Sequence, residues 1–304
     1  MNLLEIIQAV VGETGVSTMP NQVVGNNDIQ IQQLLYLANS VGTELSREYN
    51  WEAINRQYQF FTQFLITTGD MVDGSPVITN IPDTSTLNTK FMVTGVGVPN
   101  QDVSIISVDS PTQVTLSTSC NVTQVGQTLN FGQTKYDMPS DYDRQIDRTH
   151  YDKSKRWEML GPETPQQWEF LRSSYISTGP RIRYRIMDKY FQIWPITTTN
   201  ELLSFEYVSK SWVDSSTNLP KNSFTADTDT CIYPDRLIIN GIKWKLWDVK
   251  GFDTTSFYRD FINQLQQAKS NDSGSATLSM SPKISTVLIG YENIPDGSIY
   301  GQGG

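Results

Sequence analysis

Hydrophobic stripes with the helical period mark the two ends of this chain, and long stretches between them read as β structure. This constrains the fold most, because a one-sided helix must bury its stripe against another element. Over residues 2–11, Leu3, Ile7 and Val10 lie on one stripe with Leu4 and Val11 beside it, and Gly12 and Gly15 predict its end. After a Gly/Pro/Asn-rich loop, Asp28 is placed to open a longer helix to about Tyr49. Leu34, Ala38, Val41 and Leu45 repeat there at helical spacing, with Ile31 and Leu35 widening the stripe. Gly42, inside that run, gives up about 1 kcal/mol of helix propensity against Ala, which predicts a close helix contact. Glu44, Arg47 and Glu48 are expected on a solvated or inter-subunit face.

At the other end, Tyr233-Pro234-Asp235 is a helix start. Leu237, Ile238, Gly241, Ile242, Trp244 and Leu246 give a wide apolar face, and Gly251 ends the run. Lys243, Lys245 and Lys250 suit the negative end of the helix dipole. Phe257, Phe261 and Leu265 mark a further helix from about Thr255 to Lys269. The expected class is α+β: a helical bundle built from both ends of the chain, with a central β domain and a small inserted all-β module.

Between the helices, Arg56–Thr68 has β character through Tyr58, Phe60, Phe61, Phe64, Leu65 and Ile66. From Gly69 to Gly132, short β-prone runs such as Val103–Val108 and Val114–Leu116 alternate with turn signals such as Ile81-Pro82-Asp83 and Gly95-Val96-Gly97. The stretch Tyr136–Val213 is a second turn-rich β segment. Gly179-Pro180 is a turn, after which Ile182, Tyr184 and Ile186 alternate with Arg181, Arg183 and Arg185, so one face is apolar and the other a guanidinium ladder. Asp188-Lys189 falls where a tight hairpin turn belongs, and Tyr190, Phe191, Ile193 and Trp194 form the return strand. Trp157 and Trp168 are expected to pack over this sheet. Leu202–Val208 is a third β-prone run, and Asp214–Asp229 a polar loop. The expected division is 1–68 for the first bundle part and leading strand, 69–132 for the inserted module, 133–229 for the central β region, 230–269 for the second bundle part and 270–304 for an extended arm. Ser270–Ser275 is linker-like, and beyond it Ile284, Val287, Leu288, Ile289 and Tyr291 form an apolar patch with no partner of its own.

The order of several motifs in 136–213 carries a resemblance. Asp137-Met138-Pro139-Ser140-Asp141-Tyr142-Asp143-Arg144 is followed by Trp157-Glu158-Met159-Leu160-Gly161-Pro162, Pro165-Gln166-Gln167-Trp168, Ser177-Thr178-Gly179-Pro180-Arg181, Trp194-Pro195 and Phe205-Glu206-Tyr207-Val208-Ser209. The series, over about a quarter of the chain, resembles the head–tail adaptor proteins of tailed, chiefly short-tailed, bacteriophages, also called connector, head-completion or tail tubular A-like proteins. The resemblance implies a non-enzymatic virion protein at the head–tail interface, assembled in the host cytoplasm. Its copies would form a ring of twelvefold order between the portal and a nozzle or tail-tube protein. Packaged DNA would pass through without sequence-specific contact. It implies no cofactor, no metal and no membrane. The portal-binding arm would use Ile284, Val287, Leu288, Ile289, Tyr291, Ile294 and Tyr300. Inter-subunit or channel contacts would fall on Asp141, Asp143, Arg144, Arg148, Arg181, Arg183 and Arg185. Trp157, Gly161, Pro162, Trp168, Gly179, Pro180, Trp194 and Pro195 would be structural.

Composition and the catalytic candidates agree with a contact protein. Hydrophobic content of 38% and charged content of 18% leave a polar, Asn/Gln/Ser/Thr-rich surface, and a net charge of −9 gives no global basic footprint for nucleic acid. The negative surplus would keep DNA from adhering to a channel wall. Cys120 and Cys231 are expected as free thiols in a reducing cytoplasm. The start Met1–Glu5 lacks the marks of a signal peptide, and no apolar run reaches about 18 residues. His150, the one histidine, is expected at a surface or interface, with no nucleophile elbow beside it. Asp227-Thr228-Asp229 lacks an EF-hand pattern and reads as a solvated loop. Asp141, Asp143, Asp147, Glu158 and Glu163 could in principle supply a glycosidase pair, so the alternatives are a tail-associated cell-wall hydrolase and a carbohydrate- or capsid-binding module.

Overall fold

In the computed structural model, residues 1–99, 102–173 and 181–272 are described. Two helices open the chain, α1 (Leu3–Thr14) and α2 (Ile29–Glu48), and a 3-10 turn leads into β1 (Asn55–Phe61). Next come β2 (Phe64–Met71), β3 (Val77–Ile78), β4 (Phe91–Gly95), β5 (Ile105–Ser110), β6 (Gln113–Leu116) and β7 (Gln124–Gln133). They precede β8 (Lys135–Asp137), β9 (Tyr142–Gln145), β10 (Tyr151–Asp152), β11 (Trp157–Glu158), α3 (Pro165–Ser173), β12 (Arg183–Met187), β13 (Tyr190–Trp194) and β14 (Leu202–Ser209). Short strands β15 (Val213–Asp214), β16 (Pro220–Lys221) and β17 (Thr230–Cys231) lead to α4 (Asp235–Val249) and α5 (Thr255–Asp272). The chain is thus a mixed α+β protein.

Capping decides the N-terminal helices. Asn2 and Glu5 satisfy each other's backbone N–H groups at 2.9 Å, a capping box. The helix passes through Gly12 and stops at Gly15, whose left-handed backbone (φ 65°) lets its N–H reach Val11 O at 2.8 Å. Gly12 alone therefore ends nothing. Asp28 caps α2 through Gln30 N at 2.9 Å. One hydrophobic cluster joins Leu3, Ile7 and Val10 of α1, Leu34, Val41 and Leu45 of α2, Leu237 and Ile242 of α4, and Phe261 and Leu265 of α5. Lys243 reaches Glu13 at 2.6 Å, Lys245 pairs with Glu44, and Lys269 meets Glu48 at 3.0 Å. Glu44, Arg47 and Glu48 stand on an exposed face, where Glu44 and Glu48 also pair with lysines of the C-terminal helices.

The close contact expected at Gly42 is made by a different group. A Cβ there would lie 2.1 Å from the indole of Trp212, which a loop inserts into the helical cluster. The close helix approach is at Gly241 of α4, where a Cβ would be 2.7 Å from Val41 Cγ1.

The run 56–68 is two strands, not one. β1 pairs with β14, whereas β2 pairs with β7, and the break falls at Thr62–Gln63 instead of near Gly69. Strands β2-β7-β4 and β3-β6-β5 form two small sheets that share their own cluster of Ile78, Phe91, Val93, Val114, Leu129 and Phe131. A buried polar neck joins this unit to the rest. Thr62 N–H donates to Glu201 O at 2.9 Å, and Gln133 N–H donates to Gln63 O at 2.9 Å. The Tyr136 hydroxyl accepts from Gln63 N at 3.0 Å and donates to Gln133 O at 2.9 Å.

The central strands form two sheets that pack on each other. One has the order β1-β14-β10-β11, with β9 also on β14; the other is β12-β13-β8. β14 therefore lies opposite the β12–β13 hairpin instead of extending it. Asp188 and Lys189 (φ 54° and 65°) make the tight turn between Met187 and Tyr190, as the right-handed strand twist requires of a two-residue loop. Between the sheets, Tyr184, Phe191 and Phe205 stack nearly parallel, with centroids 5.1 and 5.0 Å apart. The expected linker is helical at first: α5 continues through Ser270, and Asp272 accepts from Glu52 N at 2.9 Å.

Candidate functional site

The alternation in β12 survives in the structure. Ile182 and Tyr184 are buried, Ile186 is half-buried, Arg181 is exposed, and Arg183 and Arg185 are half-buried. Arg183 is committed within the chain, to Glu163 at 2.5 Å, and the Glu163 side chain is only 7% exposed. Arg181 and Arg185 have no ion-pair partner among the described residues. Burial, and next the charge of Arg185, push the guanidinium of Arg172 on α3 below its usual range. Arg172 pairs with Asp102 and so links α3 to the β2–β7 unit.

Asp141 and Asp143 lie on the other sheet. Asp141 accepts from the hydroxyls of Tyr207 at 2.8 Å and Ser209 at 2.6 Å, and meets Arg56 at 3.2 Å. Asp143 pairs with Arg144 at 2.7 Å, and Arg144 also donates to Asn50 Oδ1 at 2.7 Å. Within one chain, then, these acids hold the β9–β14 corner and do not meet the arginine ladder. Arg148 is exposed, sits on a left-handed backbone (φ 63°) and lies 3.7 Å from Glu158.

The structural positions divide. Trp168 is buried in α3, whereas Trp157 is 37% exposed on strand β11. Gly161-Pro162 and Trp194-Pro195 are cis peptides. Gly161 is required by contact: at φ 146°, a Cβ would sit 2.5 Å from Tyr184 O. Gly179, Pro180, Ile284, Val287, Leu288, Ile289, Tyr291, Ile294 and Tyr300 lie outside the described residues.

His150 is not at the surface. It is 1% exposed and stacks on Tyr184 with centroids 4.1 Å apart, and its Nδ1 shares a hydrogen bond with the Tyr184 hydroxyl at 3.0 Å. Burial lowers its pKa to about 4, so the ring is neutral at physiological pH. Nor is 227–229 a solvated loop. Asp227 accepts from Val24 N at 2.8 Å; Asp229 is 1% exposed and accepts from Thr225 N, Ala226 N and Lys221 at 2.8–2.9 Å. Among the described residues no group of three or more His, Cys, Asp or Glu could hold a metal ion. Each carboxylate considered for glycoside cleavage has its own partner: Asp147 accepts from Gln145 at 2.8 Å, Glu158 faces Arg148 and Glu163 holds Arg183. Cys120 and Cys231 are free thiols, and burial pushes Cys231 up to about 11.

The basic run Lys153-Ser154-Lys155-Arg156 gained no role from sequence reasoning. Its Lys153 and Arg156 line, with Arg148, an open groove of about 630 Å³ over the outer face of the β1–β14–β10 sheet. Its own charge density was the available signal. Among the described residues, no helix is long and apolar enough to cross a membrane.

A family model described as SU10 adaptor protein matches residues 112–282, which is 171 of 304 residues, from β6 through the central sheets to beyond α5. No curated protein matches the chain. The match covers the motif series read in 136–213 and supports a structural part in a bacteriophage virion. The chain belongs to the SU10 adaptor protein family.

Proposed function

We propose that this adaptor is a head–tail connector of a short-tailed phage. In this reading its copies close into a ring of twelve between the portal and the next tail protein, and the ring continues the DNA channel. The observation that carries the reading is the adaptor-family match across the central sheets and the C-terminal helices. Two features of the fold support it. The helices of both chain ends share one hydrophobic cluster, which suits a four-helix bundle as the ring's packing unit. The β2–β7 unit, with its own cluster and a narrow neck, suits a separable module carried on the ring's outer side.

The portal-docking arm is the segment 270–304, which begins in the last turn of α5, using Ile284, Val287, Leu288, Ile289, Tyr291, Ile294 and Tyr300. Apolar area left in water costs about 25 cal/mol per Å², so such a patch gains by docking on a partner. The exposed Arg148 and Arg181 and the half-buried Arg185 face neighbouring copies or the channel. The net charge of −9 keeps DNA moving past the wall without sequence-specific binding. Assembly takes place in the host cytoplasm.

Co-assembly tests this reading. The full chain is expected to form closed rings on purified portal, seen by cryo-electron microscopy. A chain ending at Asp272 should fold with nearly unchanged thermal stability and lose portal binding. The cut follows Asp272 because that side chain still holds Glu52 N. A chain absent from virions, or one that ignores portal, refutes the connector role. A truncated chain that binds portal undiminished refutes the arm.

A further inference from the structure

The groove beside β10 is basic and the far tip of the β2–β7 unit carries acids, and both are exposed among the described residues. The outer face of the sheet supplies the groove floor: Gln57 stands opposite Glu206 across β1 and β14, and Ser204 stands opposite Tyr151 across β14 and β10. Arg148, Lys153 and Arg156 overhang this floor and are exposed. Both arginines sit on left-handed backbone, at φ 63° and 59°. Non-glycine residues adopt that region at a cost, and such positions cluster at binding sites. Lys153 and Arg156 have no ion-pair partner among the described residues, and Arg148 has only the 3.7 Å approach of Glu158. The neighbouring Lys155 is different, because it is drawn away to the buried Glu201.

The tip is apolar and acidic. Where the loops after β2 and β4 meet the loop before β7, Val72, Val96, Val122 and Val125 are 55%, 69%, 38% and 81% exposed. The loops are held together by Asp73 N–H to Thr123 Oγ1 at 2.9 Å, Asn121 N–H to Gly97 O at 2.8 Å and Gly126 N–H to Asp70 Oδ1 at 2.7 Å. Asp73 is exposed beside Val72. Residues 64–133 carry Asp70, Asp73, Asp83, Asp102 and Asp109 against the single cation Lys90, a net −4. Lys90 is at the neck, 2.5 Å from Asp137, so it does not offset the acids of the tip. β2 starts at the neck and ends at the tip, so the seven steps between its eight residues, at about 3.3 Å each, place the tip roughly 23 Å out.

We infer that the valine-and-aspartate tip of one copy docks in the Arg148–Lys153–Arg156 groove of the next, so that the inserted unit is a strap between neighbouring subunits. Charge supports this match: a unit that stays net acidic, with Asp73 exposed at its tip, meets three cations, even with Asp102 already held by Arg172. The floor discriminates between acidic partners. Glu206 is exposed there, and it needs a donor, which a peptide N–H or serine hydroxyl supplies. A phosphodiester backbone offers only acceptors, so the groove favours a protein segment over DNA. The inference rests on the ring reading of the proposed function, because it requires neighbouring copies.

Two exposed variants of the full chain test it: R148E/R156E in the groove and D73K at the tip. Each should keep the wild-type unfolding midpoint. Each alone should associate on purified portal at least tenfold more weakly than wild type, since groove and tip then repel. An equal mixture should assemble again, because the reversed groove attracts the reversed tip and the two native surfaces still match. Sedimentation velocity with cross-linking reads the result. Rings that form normally from both variants, or a mixture no better than its components, overturn the strap and leave the ring reading standing. Loss of low-salt duplex DNA binding in R148E/R156E with unchanged assembly also overturns it and assigns the groove to nucleic acid. A wild-type chain that stays single on portal refutes the ring reading, and the strap with it.

Discussion

Lowering the pH should destabilise this protein through its one histidine, by an amount the structure sets. His150 lies between two sheets, stacked on Tyr184 and Phe205 and held neutral by burial, with a pKa of about 4. In the unfolded chain it titrates at the ordinary value of about 6.5. Below pH 6.5 the unfolded state takes up a proton that the folded state refuses, so stability is full above that value and falls as pH drops toward 4. Proton linkage for one group gives a loss of ~2 kcal/mol between pH 7 and 5, and ~3 kcal/mol by pH 4. Because the sequence has one histidine, its C2 proton gives a single NMR titration curve, expected near pH 4. Denaturant unfolding at pH 7 and pH 5 measures the energetic side. A H150F chain keeps the ring stack but leaves the Tyr184 hydroxyl without its partner, which costs about 1–3 kcal/mol at pH 7. The variant should lack the histidine slope, so its deficit against wild type narrows by ~2 kcal/mol at pH 5. A titration midpoint above pH 6, or an unchanged acid slope in H150F, refutes the argument.

Other substitutions test other parts of the fold. Gly42→Ala gains about 1 kcal/mol of helix propensity but drives a methyl into Trp212, and overpacking typically costs 1–3 kcal/mol, so calorimetry should show a lower unfolding temperature. Asp229→Ala strips a buried acceptor from Thr225 N, Ala226 N and Lys221 and should cost about 3 kcal/mol in urea unfolding; a loss under 1 kcal/mol means the loop is held by other contacts. Burial is the largest single influence on the Asp229 carboxyl and pushes it up, but Lys221 and the backbone N–H donors together outweigh it and hold the group below its usual range, so its contribution is present above about pH 4 and fades as pH falls through the lowered value. Replacing residues 64–133 by a short Gly/Ser link should leave helical circular dichroism unchanged, because that unit has its own hydrophobic cluster; loss of the helical signal would show that the helices depend on it.

Short-range chemistry was legible in the sequence, and long-range partnership was not. The stripes Leu34-Ala38-Val41-Leu45 and Phe257-Phe261-Leu265, the cap at Asp28 and the hairpin at Asp188-Lys189 all appear where spacing and turn chemistry put them. Each depends on residues within a few positions, where backbone geometry and hydrogen bonding leave few choices. The motif series of 136–213 was likewise readable, and the family match covers it.

Tertiary structure decided what those elements touch. Nothing near Gly42 in sequence announces Trp212, and no local signal places His150 inside a ring stack. The aromatic run 56–68 gives no mark that Thr62 and Gln63 divide it between two sheets, because both halves have equal β propensity and the break is fixed by Glu201, Gln133 and Tyr136. Alternation showed that the arginines of β12 share a face, yet only the fold assigned Arg183 to Glu163 and kept Asp141 and Asp143 on the other sheet. Periodicity specifies which side of an element is apolar. Which distant side chain meets that side is set by how whole sheets and helices pack, and that is a property of the assembled chain.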